Sequence, residues 1–248
     1  MSDPQLHGHI ALVTGAAGPM GMAAARALTD AGCRVALVDL DSERLQHATQ
    51  QIGNALAFGA DLTRIDDIPA LVARIESAMS PISILVNNAG VLSNTKSQAT
   101  DHNEWRRVLG INLDAAFFLA RAVIPSMKQL RWGRIINTTS LAAKTGGLTA
   151  GTAYATSKGA LSAMTFSLAR ELAAQGITVN GIAPAYVRTP MVTEGLTEAQ
   201  RTALLATIPV GRFCEPEEFA HVVRFLASPL AGFITGEIID VNGGLLMD

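Results

Sequence analysis

The sequence of 248 residues is poor in aromatic and charged side chains and contains only two cysteines. Aromatic residues make up 5% and charged residues 16%, and the net charge is −2 with no long run of either sign. This pattern offers no basic surface for a nucleic acid or an anionic membrane. Cys33 and Cys214 lie far apart, so we expect two free thiols in a reducing compartment, with the cytoplasm as the default location.

The chain also lacks long apolar segments. No apolar stretch approaches the roughly 20 residues of a membrane span. Residues 1–9 are short and polar, unlike a secretory signal. We therefore expect no membrane partner. Hydrophobic residues still account for 49% of the chain, which is ample for a buried core in one domain of this length.

Short apolar segments alternate with longer segments of helical periodicity. Strands are expected at residues 10–13, 34–38, 55–58, 84–86, 134–137, 178–182 and 237–241. Helices are expected at residues 20–31, 42–50, 65–79, 103–130 and 152–175. This alternation predicts a single α/β domain, residues 1–248, with a doubly wound parallel sheet of about seven strands and helices on both faces. The least regular segment, about residues 185–215, contains several prolines and is predicted to be a substrate lid.

A glycine-rich turn follows the first predicted strand and leads into a helix. Residues 14–21 read Thr-Gly-Ala-Ala-Gly-Pro-Met-Gly. Glycines let the backbone approach a pyrophosphate at a helix N terminus, where N–H groups and the helix dipole favour an anion. The turn therefore predicts a dinucleotide site.

The second predicted strand is followed by Asp39, 18 positions after Gly21. This is close to the spacing of the acid that binds the adenosine ribose in dinucleotide sites. A carboxylate there accepts hydrogen bonds from the ribose hydroxyls and repels a 2′-phosphate. Because no Arg or Lys lies in the turn or directly after Asp39, the sequence favours NAD over NADP.

One of the two tyrosines precedes one of the four lysines by four positions, as Tyr154 and Lys158. On a helix this spacing places both side chains on one face. A phenol with a pKa near 10 is a poor acid–base catalyst at neutral pH, but a nearby ammonium and a nicotinamide cation would favour the phenolate and lower that pKa. The pair is a candidate catalytic dyad; the alternative is an ordinary amphipathic tyrosine on an exposed helix.

In order and spacing, the turn at residues 14–21, Asn-Asn-Ala-Gly at 87–90, Ser140 and Tyr154-x-x-x-Lys158 resemble the short-chain dehydrogenase/reductase family. The resemblance is to members of about 250 residues and covers nearly the whole chain. It implies a Rossmann-type fold and a homotetramer. It also implies NAD as the cofactor for a chain with an acid at position 39.

The resemblance implies four catalytic roles. Tyr154 would be the general acid–base, and Lys158 would bind the nicotinamide ribose and lower the pKa of Tyr154. Ser140 would hydrogen-bond the substrate oxygen. Asn112 would hold a water molecule that links Lys158 to solvent; a satisfied core amide is the alternative for this residue.

The turn and the resemblance together predict the cofactor-binding residues, and the pocket lining is expected nearby. The cofactor-binding set is Gly15, Gly18, Met20, Gly21, Asp39, Leu40, Asp61, Leu62, Asn88, Ala89, Gly90, Tyr154, Lys158, Pro184, Val187 and Thr189. The substrate set is Leu92, Ser140, Ala142, Leu148, Tyr154, Tyr186, Met191 and Leu196. No metal site is expected, because the five histidines are scattered and no metal-binding motif is present.

Three departures from the family pattern are visible. Pro19 stands where the second glycine of the turn is usual, and proline has no N–H to donate to a phosphate, although it suits the first turn of a helix. Ala185 replaces a common glycine after Pro184. Ser140 and Tyr154 are 14 positions apart, one more than usual, so the loop 141–151 bordering the substrate is slightly longer.

These residues predict an NAD-dependent oxidoreductase that transfers a hydride between nicotinamide and a small secondary alcohol, polyol or ketone. One alternative is a 3-oxoacyl-thioester reductase of the acyl carrier protein type, which usually uses NADPH; Asp39 argues against it. Another alternative is a catalytically idle dinucleotide-binding scaffold. The expected partner is a small molecule, and its identity stays open because the expected pocket is largely apolar and unspecific.

Overall fold

Seven strands form one parallel sheet in a computed structural model, which describes residues 6–40, 42–194 and 197–247, with only the backbone of Met191 and Thr193. Each strand is an apolar segment bounded by turn residues. The strands are β1 (Ile10–Thr14), β2 (Arg34–Asp39), β3 (Ala55–Gly59), β4 (Ile82–Asn87), β5 (Gly133–Thr138), β6 (Ile177–Pro184) and β7 (Ile238–Val241). All seven predicted strands are found, most with an extra residue or two at their ends.

The strand order is β3-β2-β1-β4-β5-β6-β7, and every neighbouring pair is parallel. The chain winds outward from β1 in one direction and then restarts from β4 in the other. Ligands of such sheets bind where the order reverses, outside the carboxyl ends of the strands. The predicted fold class is confirmed, and it places the site between β1 and β4.

Helices cover both faces of the sheet. They are α1 (Pro19–Asp30), α2 (Glu43–Gln51), α3 (Ile68–Met79), α4 (His102–Leu109), α5 (Ala115–Leu130), α6 (Ala142–Thr145), α7 (Thr152–Leu172), α8 (Pro190–Thr193), α9 (Glu198–Leu205) and α10 (Pro216–Ala227). Alternate strand residues face opposite sides: Leu12 and Leu85 join a core with α3, α5 and α7, whereas Val13 and Val86 join a core with α1, α2 and α10.

The helix expected at residues 103–130 is interrupted in its middle. A π-helical turn at Gly110–Asp114 separates α4 from α5. Single π turns inside a helix occur frequently at functional sites, and this one contains Asn112. The π-helical turn therefore coincides with the part of this helix that contributes a residue to the candidate site.

The combined helical segment His102–Leu130 is long and apolar enough, by length and composition, to cross a membrane. The sequence-based statement that no such stretch exists therefore needs qualification. Leu119, Val123 and Met127 of this segment are buried in the core against β4 and β5. A core helix of a globular protein passes the same test.

One long helix, α10, is absent from the helices expected from the sequence, and it begins at Pro216, directly after the proline-containing segment 185–215. Proline at the first helical position is favoured, since its missing N–H would have no helical partner there. Glu215 and Glu218 form a capping box in front of α10, and Phe219 and Val223 anchor the helix in the core.

Both cysteines are free thiols, as expected. Cys33 is fully buried, and burial raises the pKa of its thiol to about 12. Cys214 is partly exposed and lies in the segment that precedes α10.

Candidate active site

The glycine-rich turn lies at the carboxyl end of β1, as the sequence predicts. Gly15 has a left-handed backbone with φ of +64°, a conformation that glycine adopts without strain. Gly21, in the first turn of α1, has no room for a side chain, because an added Cβ would fall 2.2 Å from the carbonyl oxygen of Gly15. The backbone of the turn therefore packs directly on the helix.

The turn fits a bound pyrophosphate, but only a few of its backbone N–H groups are available to donate hydrogen bonds to the phosphates. The N–H groups of Ala16, Ala17 and Gly18 are used inside the protein, by Val38, Asp39 and Gly15 respectively. The first turn of a helix leaves N–H groups without helical partners, and Pro19 contributes none. We therefore expect Met20 and Gly21 to bind the phosphates, so Pro19 does not remove the site.

The carboxylate of Asp39 is fixed by the backbone on both of its oxygens. Oδ2 accepts a hydrogen bond from the Ala17 N–H at 2.9 Å, and Oδ1 accepts one from the Leu40 N–H at 2.8 Å. Carboxylate oxygens have further lone pairs, and Asp39 borders the cleft beside the turn. This arrangement suits the predicted binding of ribose hydroxyls.

Thr14 joins the turn to the end of β4. Its hydroxyl accepts hydrogen bonds from the N–H groups of Asn88 at 3.0 Å and Ala89 at 2.9 Å, and donates one to the Val86 carbonyl. The Asn88 side chain donates back to the Thr14 carbonyl at 3.0 Å. Thr14 is not among the site residues predicted from the sequence. Its position at the end of β1 is the sequence feature that indicates its role in joining the turn to β4.

A cleft of about 810 Å³ opens over these residues. Twelve of the predicted cofactor residues line it: Gly15, Gly18, Met20, Gly21, Asp39, Leu40, Asp61, Leu62, Asn88, Ala89, Gly90 and Thr189. The cleft also includes residues that the sequence analysis missed: Ala17, Pro19, Ser42, Arg44, Ala60, Thr63, Val91, Ile111 and Pro190. Its size and its position at the strand ends suit an extended dinucleotide.

Arg44 is the most consequential of the missed residues. It lies in the first turn of α2, five positions after Asp39, and it borders the same end of the cleft. The preference for NAD predicted from the sequence takes account only of cations in the turn or directly after Asp39. A positively charged residue, Arg44, therefore borders the same end of the cleft as the carboxylate of Asp39.

Four predicted cofactor residues do not line this cleft: Tyr154, Lys158, Pro184 and Val187. Pro184 ends β6, where its carbonyl accepts a hydrogen bond from Leu141. Val187 is 4% exposed and pairs as an isolated parallel bridge with Cys214. The bonds of this bridge use the Arg188 N–H and the Tyr186 carbonyl, and the contacts of Pro184 and Val187 with a nicotinamide stay predictions.

Asn112 connects the cofactor side of the site to the catalytic helix. Its Oδ1 accepts a hydrogen bond from the Val91 N–H at 2.8 Å, and its Nδ2 donates to the Val91 carbonyl and to the Ser157 hydroxyl, both at 3.0 Å. Ser157 Oγ in turn donates to the Tyr154 carbonyl at 2.7 Å. Asn112 is thus a fully bonded buried amide, as in the alternative reading, and it also lies beside the predicted catalytic residues.

Lys158 is 4% exposed, and its ammonium donates to the Thr138 carbonyl at 2.7 Å. A Cβ added to Gly90 would lie 3.5 Å from Lys158 Nζ and 3.1 Å from Asn112 Oδ1. The absence of a side chain at Gly90 therefore leaves the ammonium close to the cleft. Burial lowers the pKa of Lys158 to about 8.

Tyr154 lies on the same face of α7, with the ammonium of Lys158 5.9 Å from its ring centre. Burial raises the pKa of Tyr154, and a hydrogen bond with the Ser140 side chain opposes this shift more weakly. Desolvation disfavours the charged phenolate in the protein without a cofactor. The lowering of this pKa by Lys158 together with a nicotinamide cation stays a prediction.

An apolar pocket of about 190 Å³ opens beside Tyr154 and Ser140. The predicted residues Leu92, Ala142, Leu148 and Tyr186 line it, together with Asn94, Leu141, Val192 and Leu204, which were missed. The side chain of Met191 and the whole of Leu196 lie outside the described residues. Leu204 lies on α9, a helix within the segment 185–215 that the sequence predicts to be irregular.

Within the described part of the chain, no group of three potential metal ligands occurs. The arrangement instead combines a phenol, a hydroxyl and a buried ammonium at the junction of a long cleft and a small apolar pocket. Such a set can bind a carbonyl or alcohol oxygen and exchange a proton with it.

Comparisons with known proteins find relatives over almost the whole chain. The model of a family described as enoyl-(acyl carrier protein) reductase matches residues 15–246. The 3-oxoacyl-[acyl-carrier-protein] reductase FabG of Vibrio cholerae serotype O1 is 39% identical over 244 residues, covering 98% of this chain and 99% of that protein. Its counterpart in Rickettsia conorii is 40% identical over 244 residues, with 98% of each chain covered. Nodulation protein G of Azospirillum brasilense is 38% identical over 244 residues, covering 95% and 97%.

Substitution of Gly21 by alanine is expected to abolish dinucleotide binding. The new Cβ would overlap the Gly15 carbonyl and displace the turn from the helix. Gly53→Ala is the matched control, because an added Cβ there meets nothing within 4 Å. The fluorescence of bound NADH, titrated for both variants, measures the effect. An affinity of Gly21→Ala within about threefold of the parent protein would contradict this account of the turn.

Proposed function

The chain belongs to the short-chain dehydrogenase/reductase family, and we propose that it reduces the 3-oxo group of 3-oxoacyl thioesters with NADH. The observation that carries the proposal is the phenol of Tyr154 beside the Ser140 side chain at an apolar pocket, and desolvation raises the pKa of that phenol. A raised pKa suits a group that must donate a proton to a ketone oxygen at neutral pH. The reduced nicotinamide is uncharged, so it does not favour the phenolate as the oxidised ring would.

The sequence analysis preferred a small alcohol or ketone and kept the 3-oxoacyl thioester as the alternative. The similarity to 3-oxoacyl-[acyl-carrier-protein] reductases over almost the full length favours that alternative. The idle scaffold is disfavoured, because Tyr154, Lys158, Ser140 and Asn112 are all brought to one place.

In the proposed reaction the nicotinamide, when bound, supplies the hydride that C3 of the substrate accepts. Ser140 binds the 3-oxygen through its hydroxyl, and Tyr154 donates its phenolic proton to that oxygen as the C–O double bond becomes single. Lys158 would hold the cofactor ribose, and its ammonium is the neighbouring acid from which the phenol would regain its proton. The product is the 3-hydroxyacyl thioester, and the thioester bond is unchanged.

Preference for NADH rests on Asp39. Its carboxylate is held by two backbone N–H groups, so it cannot easily turn away from a 2′-phosphate. Reductases of this class usually use NADPH, and Arg44 at the same end of the cleft is the group that would bind its extra phosphate. We propose that the charge of Asp39 decides between the two cofactors.

The remaining expectations are proposals of the same kind. A cytoplasmic location is consistent with two free thiols. A homotetramer would cover the exposed aromatic rings of Phe117 on α5 and Phe166 on α7. The segment at residues 185–215 borders the pocket through Tyr186, Val192 and Leu204, and we propose that it closes over the substrate.

Tyr154→Phe is expected to lower the rate of 3-oxobutanoyl thioester reduction by roughly 10²–10⁴-fold, because the proton donor is removed while the ring remains. NADH binding should stay within about threefold of the parent protein. NADH absorbance measures the rate, and NADH fluorescence measures binding. A variant with near-normal turnover would rule out the proposed role.

The reduction rate is expected to fall as the pH rises above about 8. The pKa of Lys158 is lowered to about 8, so its ammonium is lost between pH 7 and 9. The pKa of Tyr154 is raised, so the phenol keeps its proton over the same range. The value of kcat/KM for NADH, which reports groups of the free enzyme, should be measured from pH 6 to 10. A constant value up to pH 10 would contradict the assignment.

Asp39→Asn is expected to raise kcat/KM for NADPH at least tenfold and to lower it for NADH. The amide oxygen can still accept one backbone N–H, whereas the negative charge facing a 2′-phosphate is gone. The double variant Asp39→Asn, Arg44→Ala tests the second half of the argument, since it should lose most of the gain. If Asp39→Asn leaves the ratio of the two cofactors unchanged, the carboxylate does not select NADH.

A further inference from the structure

A second cavity, of about 320 Å³, lies behind the wall of the substrate pocket. Ala185 and Tyr186 line both spaces. The cavity is otherwise bordered by the segment 208–214, the start of α10 and the end of β7. Its volume is at the lower end of the range of small-molecule sites, roughly 300–1,000 Å³.

The shared wall is held from both sides. The Ala185 N–H donates to the Val241 carbonyl at 3.1 Å, which attaches the wall to β7. The Cys214 N–H donates to the Tyr186 carbonyl at 3.0 Å, and the Arg188 N–H donates to the Cys214 carbonyl at 2.8 Å. These bonds attach the backbone of the wall to its neighbours, and Tyr186 borders both spaces.

The charged groups around the second cavity are paired with one another. Arg212 makes two short bonds with Glu218, at 2.6 and 2.7 Å. Asp240 Oδ2 accepts a hydrogen bond from Lys144 at 2.6 Å. Because each charge has an opposite partner, the cavity offers no net charge to an ionic ligand and suits a neutral one.

Asp240 borders the cavity, and its Oδ1 is buried without a partner among the described residues. A buried acceptor without a hydrogen bond is costly, and such groups call for a donor. The lining also includes the apolar side chains of Ile208, Val210 and Leu245. A neutral group with an N–H donor and short alkyl segments matches this combination.

We infer that this second cavity receives the neutral, amide-bearing arm on the sulfur side of the substrate, while the acyl chain occupies the apolar pocket. The inference rests on the proposed function. In a 3-oxoacyl thioester the sulfur is two carbon atoms from the reacting carbonyl carbon, so the arm must leave the site close to Tyr154. The shared wall at Tyr186 is at this position, and Tyr186 becomes a residue that determines specificity for the arm.

Three thioesters with the same 3-oxobutanoyl group test the inference. They carry an S-ethyl group, an N-acetylcysteamine arm or a pantetheine arm. The KM is expected to fall at least tenfold from the first to the last while kcat changes little, because the arm adds binding without altering the reacting atoms. A KM that is independent of the arm would overturn the inference, and the proposed function would stand.

Cys214 provides a way to fill the cavity in the intact protein. It lines the cavity, whereas Cys33 is fully buried, so a thiol reagent should reach Cys214 first. Treatment with benzyl methanethiosulfonate is expected to reduce the tenfold difference in KM to less than twofold. Cys214→Ser, treated in parallel, should keep its own dependence on the arm. Persistence of the full difference in the modified parent protein would refute the inference.

A binding measurement separates the inference from the proposed function. S-Methyl pantetheine, which has the amides of the arm but no free thiol or acyl group, should slow alkylation of Cys214 by N-ethylmaleimide at least fivefold at pH 9. If protein that binds NADH reduces no 3-oxoacyl thioester, the proposed function is wrong. The effect of S-methyl pantetheine on the alkylation of Cys214 then tests the inference by itself. Unchanged alkylation would then exclude an amide site at the cavity.

Discussion

The side-chain amide of Asn112 is the interaction on which the geometry of the site depends. It bonds both the N–H and the carbonyl of Val91, as a neighbouring strand would, and it also bonds Ser157 on α7. The π turn at Gly110–Asp114 brings the amide to this position. Through this one residue the loop after β4, the long helix and the helix of Tyr154 are held in register. A short polar side chain is needed, because the backbone groups it satisfies are at the edge of the core, where an unpaired N–H or carbonyl would be costly.

Burial gives the site its chemical bias. Desolvation moves the pKa of Tyr154 up and that of Lys158 down, so both shifts favour uncharged forms. The two groups are neighbours, with the ammonium 5.9 Å from the centre of the phenol ring. A raised pKa favours the protonated phenol, which is the form that the proposed reduction requires.

Much of the molecule could be predicted from local sequence. Strand–helix alternation predicts the sheet, since each buried parallel strand is a short apolar segment, and the glycine pattern predicts the dinucleotide turn. Tyr154, Lys158 and Ser140 follow from their order and spacing. Where the prediction was wrong or silent, the cause was tertiary. The place of Arg44 at the cleft depends on how α2 follows β2. The sequence does not predict α10, because a proline such as Pro216 can either end a helix or begin one.

The buried ammonium of Lys158 has a consequence for the folding of the protein. A pKa lowered from 10.5 to about 8 means that the folded chain holds this proton less tightly than the unfolded chain. At neutral pH that difference corresponds to roughly 3 kcal/mol of lost stability, and the loss diminishes as the pH rises from about 8 to above 10. The group that equips the site is therefore also a local weakness of the fold, and any ligand that solvates the ammonium in place of water would strengthen the whole domain.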